Sequence, residues 1–232
     1  MPYYYGFDWT YIVLVLPCVI LSLWASANVN STFKRYSQQY SRRGLTGAQA
    51  AAQVLSANGV SGVRIERISG NLTDHYDPRT NVIRLSDDVY GSTSTAAIGV
   101  ACHEAGHAVQ YAVGYAPMQL RAAIIPATNI GSQLAMPLVL LGLIFSSAML
   151  VDIGIIAFSM STLFQLITLP VEFNASRRAV ATLESSCVSD TEVKGAKAVL
   201  RAAALTYVAA LAVSLASLLR IILLFGNRNR RD

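Results

Sequence analysis

The chain has 232 residues, 53 % of them hydrophobic and 13 % charged, with a net charge of +5. Soluble domains carry roughly 25 % charged residues, so the composition is that of a membrane protein. The positive excess sits beside apolar runs, and no RNA- or DNA-binding motif is present, which argues against nucleic acid as a partner.

The first apolar run covers residues 9–27 and is long enough to cross a bilayer, where about 20 residues are needed. No Lys or Arg precedes it, whereas Lys34, Arg35, Arg42 and Arg43 follow it. The positive-inside rule therefore places the N-terminus outside and residue 34 onward in the cytoplasm. Ala25-Ser26-Ala27 has the small-residue look of a signal-peptidase site. The charged segment that a cleaved signal needs is missing, so the run is read as an uncleaved anchor, domain 1–33.

Residues 34–120 are polar enough for a cytoplasmic portion. Thr46 is a natural N-cap for a helix over residues 47–57, which Asn58-Gly59 ends. Residues 63–68 alternate with period two and predict a strand. Asp74-His75-Tyr76-Asp77-Pro78 reads as a polar loop, and residues 81–85 as a second strand that could pair with an extended peptide along its edge. Ser92 or Ser94 is positioned to cap a helix over residues 95–113.

That helix contains His103-Glu104-Ala105-Gly106-His107. Residues four apart share a helix face, so His103 and His107 can bind one metal ion. Glu104 stands about 100° round from His103, close enough to act as a base on an activated water. The chemistry this implies is zinc-dependent hydrolysis, with zinc as the cofactor. Cys102 is turned about 100° off the histidine face and reads as a small buried residue. The three cysteines, Cys18, Cys102 and Cys187, make no disulfide framework.

Beyond Ala116 the chain is apolar again. Residues 136–151 and 153–171 are two runs separated by Asp152, read as a transmembrane hairpin (domain 121–171) with Asp152 at its tip and an extension into 130–135. Domain 172–198 follows in the cytoplasm, with Arg177 and Arg178 as positive flank. A fourth run, 200–225, and a basic tail with Arg228, Arg230 and Arg231 make up domain 199–232. Four spans put that tail outside, against the charge rule, unless the last helix lies on the surface or dips. The fold class is α+β and mostly helical: a small sheet beside the motif helix and about four transmembrane helices.

A catalytic zinc usually takes three protein ligands. The candidates for the third are Glu172, Asp152, His75, Glu184 and Asp190, and Glu172 is favoured because its helix returns to the level of the motif. A carboxylate merely paired with Arg177 or Arg178 is the plain alternative. His75 and Arg178 are also candidates for stabilising an oxyanion.

Three stretches together carry a family resemblance: Leu72-Thr73-Asp74-His75-Tyr76-Asp77-Pro78, then Val100-Ala101-Cys102-His103-Glu104-Ala105-Gly106-His107-Ala108, then Leu169-Pro170-Val171-Glu172-Phe173-Asn174-Ala175-Ser176-Arg177-Arg178. They resemble the YugP-type neutral zinc metallopeptidases of bacterial membranes, over nearly the whole chain. The layout is also similar to that of HtpX-type membrane proteases. The resemblance implies a metallopeptidase acting on peptides or proteins at the bilayer, with His103, His107 and Glu172 as ligands and Glu104 as base. In those relatives an Asp four residues after the ligand Glu supports a metal-bound His; Ser176 stands there in this chain and can accept a hydrogen bond with less charge.

Two rival readings remain at this point. One is an intramembrane site-2-type protease, because Val151-Asp152-Ile153-Gly154 distantly resembles the ligand motif of such enzymes. The other is a non-enzymatic membrane scaffold with a structural zinc, against which Glu104 counts, since a structural site needs no base.

Overall fold

The computed structural model describes residues 9–186 and 189–225. Cys187, the 1–8 flank without Lys or Arg and the arginine tail lie outside the described residues. A helical turn Tyr11–Val15 leads into α1 (Leu16–Tyr36), followed by α2 (Gly47–Ala57), β1 (Arg64–Ile68), β2 (His75–Asp77), β3 (Val82–Ser86), α3 (Asp87–Tyr90), α4 (Thr95–Ala112), α5 (Ala116–Ile144), α6 (Ala148–Ser185) and α7 (Asp190–Phe225). The chain is thus mostly helical, and among the described residues there are one small sheet and four helices long and apolar enough to cross a membrane: Tyr11–Tyr36, Ala116–Ile144, Ala148–Ser185 and Asp190–Phe225.

The chain divides into two compact units. Among the described residues, one consists of residues 9–24, 121–167 and 207–225; the other of residues 25–120, 168–186 and 189–206. In the first, α5 and α6 approach closely through glycines. An added Cβ at Gly154 would stand 2.6 Å from a methyl of Val139, and one at Gly142 2.6 Å from Val151. Thr162 and Ser214 share a hydrogen bond of 2.8 Å between α6 and α7. Polar side chains on apolar helices commonly find each other in this way.

The second unit is built around α4. Its sequence is apolar or small on nearly every face, and Ile98, Ala101, Cys102, Ala105 and Val109 are all buried. Helix α2 packs on it through Ala50, Ala51, Val54 and Leu55, which belong to the same core. The ends of both helices are set by side chains. Thr46 and Gln49 form a reciprocal capping box on α2, and the Ser94 hydroxyl accepts from the Ala97 N–H to start α4. The segment before α2 is sewn to the start of α4 by backbone bonds, Thr95 N–H to the Gln39 carbonyl at 2.7 Å and Ser41 N–H to the Thr93 carbonyl at 2.8 Å.

The sheet has the order β1-β3-β2. β3 runs parallel to β1 and antiparallel to β2. Two expectations change here. Residues 75–77 form a strand rather than part of a loop. The polar sequence hid it because Tyr76 alone turns inward, while Asp77 and Asp74 satisfy neighbouring donors on Arg79, Thr80 and Ser86. In addition, β3 is flanked on both sides, so the strand expected at residues 81–85 has no edge to offer a peptide; β2 and β1 are the edges.

The hairpin tip also moves. α5 ends at Ile144 and α6 begins at Ala148, with the turn at residues 145–147. Ser146 adopts φ 51° there, and Ser147 N–H returns to the Gly142 carbonyl at 2.8 Å. Asp152 lies one turn inside α6. A single acid does not end a helix, whereas a left-handed residue does. α6 then continues without interruption past Pro170 to Ser185, so Glu172 sits in mid-helix rather than at a helix end.

The Ser94 cap yields a prediction. Ser94→Ala removes the acceptor for an amide at the start of a buried helix and should cost about 1 kcal/mol, as caps generally do. Denaturant unfolding of the detergent-solubilised chain measures it; an unchanged midpoint would show that the neighbouring backbone bonds suffice.

Candidate metal centre

Two helices bring the candidate ligands together. α4 supplies His103 and His107 one turn apart, and α6 supplies Glu172. Their approach depends on Gly106, which lies on the same side of α4. A Cβ built there would stand 2.6 Å from the Ala175 carbonyl oxygen, a backbone atom that cannot swing aside. Only glycine lets the two backbones come this close.

The three ligand atoms form a compact triangle. His103 Nε2 lies 3.1 Å from Glu172 Oε2, His107 Nε2 lies 3.1 Å from His103 Nε2, and His107 Nε2 lies 3.5 Å from Glu172 Oε2. Among the described residues these three form the group able to hold a metal ion. The spacing tests the fit: donors about 2.0–2.1 Å from a tetrahedral zinc stand about 3.3 Å apart, close to all three edges. With both Nε2 lone pairs turned inward, as metal ligands need them, two neutral imidazoles 3.1 Å apart would repel each other. A cation between them removes that conflict.

Each histidine is held from behind. His103 Nδ1 lies 3.1 Å from Ser176 Oγ, and His107 Nδ1 lies 3.0 Å from Gln110 Oε1. The two rings meet edge to face, 81° apart. Burial pushes the His107 imidazole toward its neutral form, but the neighbouring Glu172 and Glu104 carboxylates and Gln110 outweigh it and raise its pKa.

Glu104 points toward the sheet. Its Oε2 accepts the backbone N–H of Tyr76 at 3.0 Å, and its side chain is largely buried. Tyr76 turns this N–H away from β3, so the outer edge of β2 runs beside Glu104. The Tyr76 hydroxyl donates to Asn81 Oδ1 at 2.9 Å, and burial raises its pKa to about 12, with Tyr111 and Asp77 adding to the shift. It stays protonated at physiological pH.

Other sequence candidates fall elsewhere. His75 is exposed and its Nδ1 contacts the Thr73 carbonyl at 2.9 Å, so it does not enter the ligand triangle. Asp152, Glu184 and Asp190 are also outside it. Cys102 is fully buried, and burial pushes its thiol up to about 12, away from the thiolate a metal needs. The Arg178 Nε–H donates to Asn174 Oδ1 at 2.8 Å. Two participants were missed in the sequence, Gln110 and the Tyr76 amide. Gln110 had a visible signal: it is three residues after His107, on the same face of an otherwise apolar helix. The amide had none, because β2 was not recognised.

The family model described as "Putative neutral zinc metallopeptidase" matches residues 11–226. The chain is 46 % identical over 218 residues to a Bacillus subtilis (strain 168) protein called "Putative membrane protease YugP", covering 94 % of this chain and 97 % of that one. No solved structure matches.

The glycine contact yields the prediction for this site. Gly106→Ala forces α4 and α6 apart, so zinc content of the purified protein should fall well below that of the wild type while the helical circular-dichroism signal stays. Full zinc content in a folded Gly106→Ala chain would show that the two helices can separate without moving Glu172.

Proposed function

We propose that this chain, which belongs to the neutral zinc metallopeptidase family, hydrolyses peptide bonds at the cytoplasmic face of the membrane, with His103, His107 and Glu172 as zinc ligands and Glu104 as general base. The observation that carries the reading is the convergence of two imidazole nitrogens and one carboxylate oxygen at zinc spacing, beside a fourth side chain that can move protons. Zinc, when bound, acidifies a water ligand and polarises a carbonyl.

The protein's own groups do the rest. Glu104 accepts a proton from the attacking water on its carboxylate and passes it to the nitrogen of the leaving amine. The Tyr76 N–H holds that carboxylate in place through Oε2, which leaves Oε1 for the water. The cytoplasmic orientation rests on Lys34, Arg35, Arg42 and Arg43 after the first span.

The intramembrane alternative loses its footing on two points. The motif helix α4 is not among the four apolar helices, and Asp152 is not in the ligand group. A structural zinc without catalysis is the reading that experiment must separate. Glu104→Gln should keep zinc and lower peptide hydrolysis by about 10²–10⁴-fold, the usual size of a general-base contribution. Glu172→Gln should lose zinc and activity together, because two histidines alone hold zinc poorly. Zinc analysis and turnover of a peptide substrate read both; undiminished turnover in a folded Glu104→Gln protein would remove the enzymatic reading.

Topology can be checked separately. A cysteine introduced at Val60, in a chain cleared of its natural cysteines, should resist a membrane-impermeant thiol reagent in intact cells and react after permeabilisation. Labelling from outside would reverse the orientation.

A further inference from the structure

Gln110 is fully buried, and burying an amide is costly unless its donors and acceptor are all used. Here they are. Its Nε2 donates to the Val171 carbonyl at 2.8 Å and to Asn174 Oδ1 at 3.0 Å, and its Oε1 faces His107 Nδ1 at 3.0 Å. The orientation of this amide is not arbitrary. The Val171 carbonyl can only accept, so the NH₂ group must face it, and Oε1 must face the imidazole. An acceptor at that position requires the proton on His107 Nδ1, which leaves the lone pair on Nε2, toward His103 and Glu172.

Asn174 is fixed by the same logic. Its Oδ1 accepts from Gln110 and from the Arg178 Nε–H at 2.8 Å. Arg178 is permanently charged and has donors only, so it cannot face the Asn174 NH₂ group. The donor directions thus run without conflict from a cation at the rim of α6 to the buried side of His107.

We propose that Gln110 is the positioning residue of the metal centre, locking His107 in its Nε2-ligating tautomer and registering α4 against the turn of α6 that carries Glu172, with Asn174 and Arg178 fixing the orientation of its amide. The inference rests on the zinc-ligand reading above. Val171 immediately precedes Glu172, so the same amide that orients one ligand grips the backbone beside another. Removing such a partner of a metal-bound histidine typically weakens metal binding about 10–100-fold.

The test uses the full chain in detergent and measures the zinc dissociation constant by chelator competition, with circular dichroism to report the fold. Gln110→Met fills the same space without polar atoms and should weaken zinc about 10–100-fold. Asn174→Asp keeps an acceptor for both the Gln110 Nε2–H and the Arg178 Nε–H and should stay within about threefold of the wild type, well short of the loss expected when a histidine's partner is removed. Arg178→Ala should weaken zinc by less than Gln110→Met, in the same direction. A folded Gln110→Met chain with the wild-type constant overturns the proposal. So does an Asn174→Asp chain weakened as much as Gln110→Met, since that variant keeps the acceptor that fixes the amide. Should Gln110→Met fail to fold, Asn174→Asp and Arg178→Ala decide: an unweakened Arg178→Ala or a zinc-poor Asn174→Asp overturns it. A folded wild type that takes up no zinc would strike the ligand reading itself, a result distinct from any of these.

Discussion

The whole centre depends on one backbone-to-backbone approach, α4 against α6 at Gly106 and Ala175. A carboxylate side chain such as Glu172 reaches only a few ångströms from its own helix. It meets two histidines on a neighbouring helix only if the helix axes are unusually close, and a single methyl at residue 106 would collide with a carbonyl oxygen. Glycine in a helix interior costs about 1 kcal/mol relative to alanine. The chain accepts that cost at the position where the second helix must pass.

The closeness has an electrostatic counterpart. Glu172 is only 3 % exposed, in a setting where an unpaired charge would be strongly unfavourable. The polar groups around it are therefore arranged in a closed set: two imidazoles on the carboxylate, a hydroxyl and an amide behind the imidazoles, and an arginine behind the amide. Each member has its partner in the next. A partly satisfied network of this kind is worse than none, so on the proposed reading the loss of Gln110 or Ser176 should reach the centre although neither is one of the three candidate ligands.

Much of this was legible from residues. The Thr46 cap and the Asn58-Gly59 stop gave α2 its ends because capping is a local, short-range effect. His103 and His107 were legible because helical spacing alone puts them on one face. Glu172 required knowing that the chain comes back to the same place, which the family resemblance implied and position along the chain favoured. What failed was tertiary in origin. β2 is three residues long and polar, and it is a strand only because β3 pairs with it. The hairpin turn at residues 145–147 lies within a run of apolar sequence, while Asp152, the conspicuous interruption, is tolerated inside a helix. Gln110 stood visibly beside His107, but its partners Val171 and Asn174 come from α6 and only the fold brings them to it.

The two histidines are held by different authorities. His107 takes its orientation from Gln110, on its own helix. His103 is spanned end to end by α6, Glu172 at one ring nitrogen and Ser176 at the other. Those two residues are four apart, so one helical turn of about 5.4 Å acts as a caliper closed on a single imidazole. A caliper of this kind reads sequence length directly. One residue added between Glu172 and Ser176 would rotate the second jaw by about 100° while leaving the first in place, and His103 would lose its backing although every original side chain was still present.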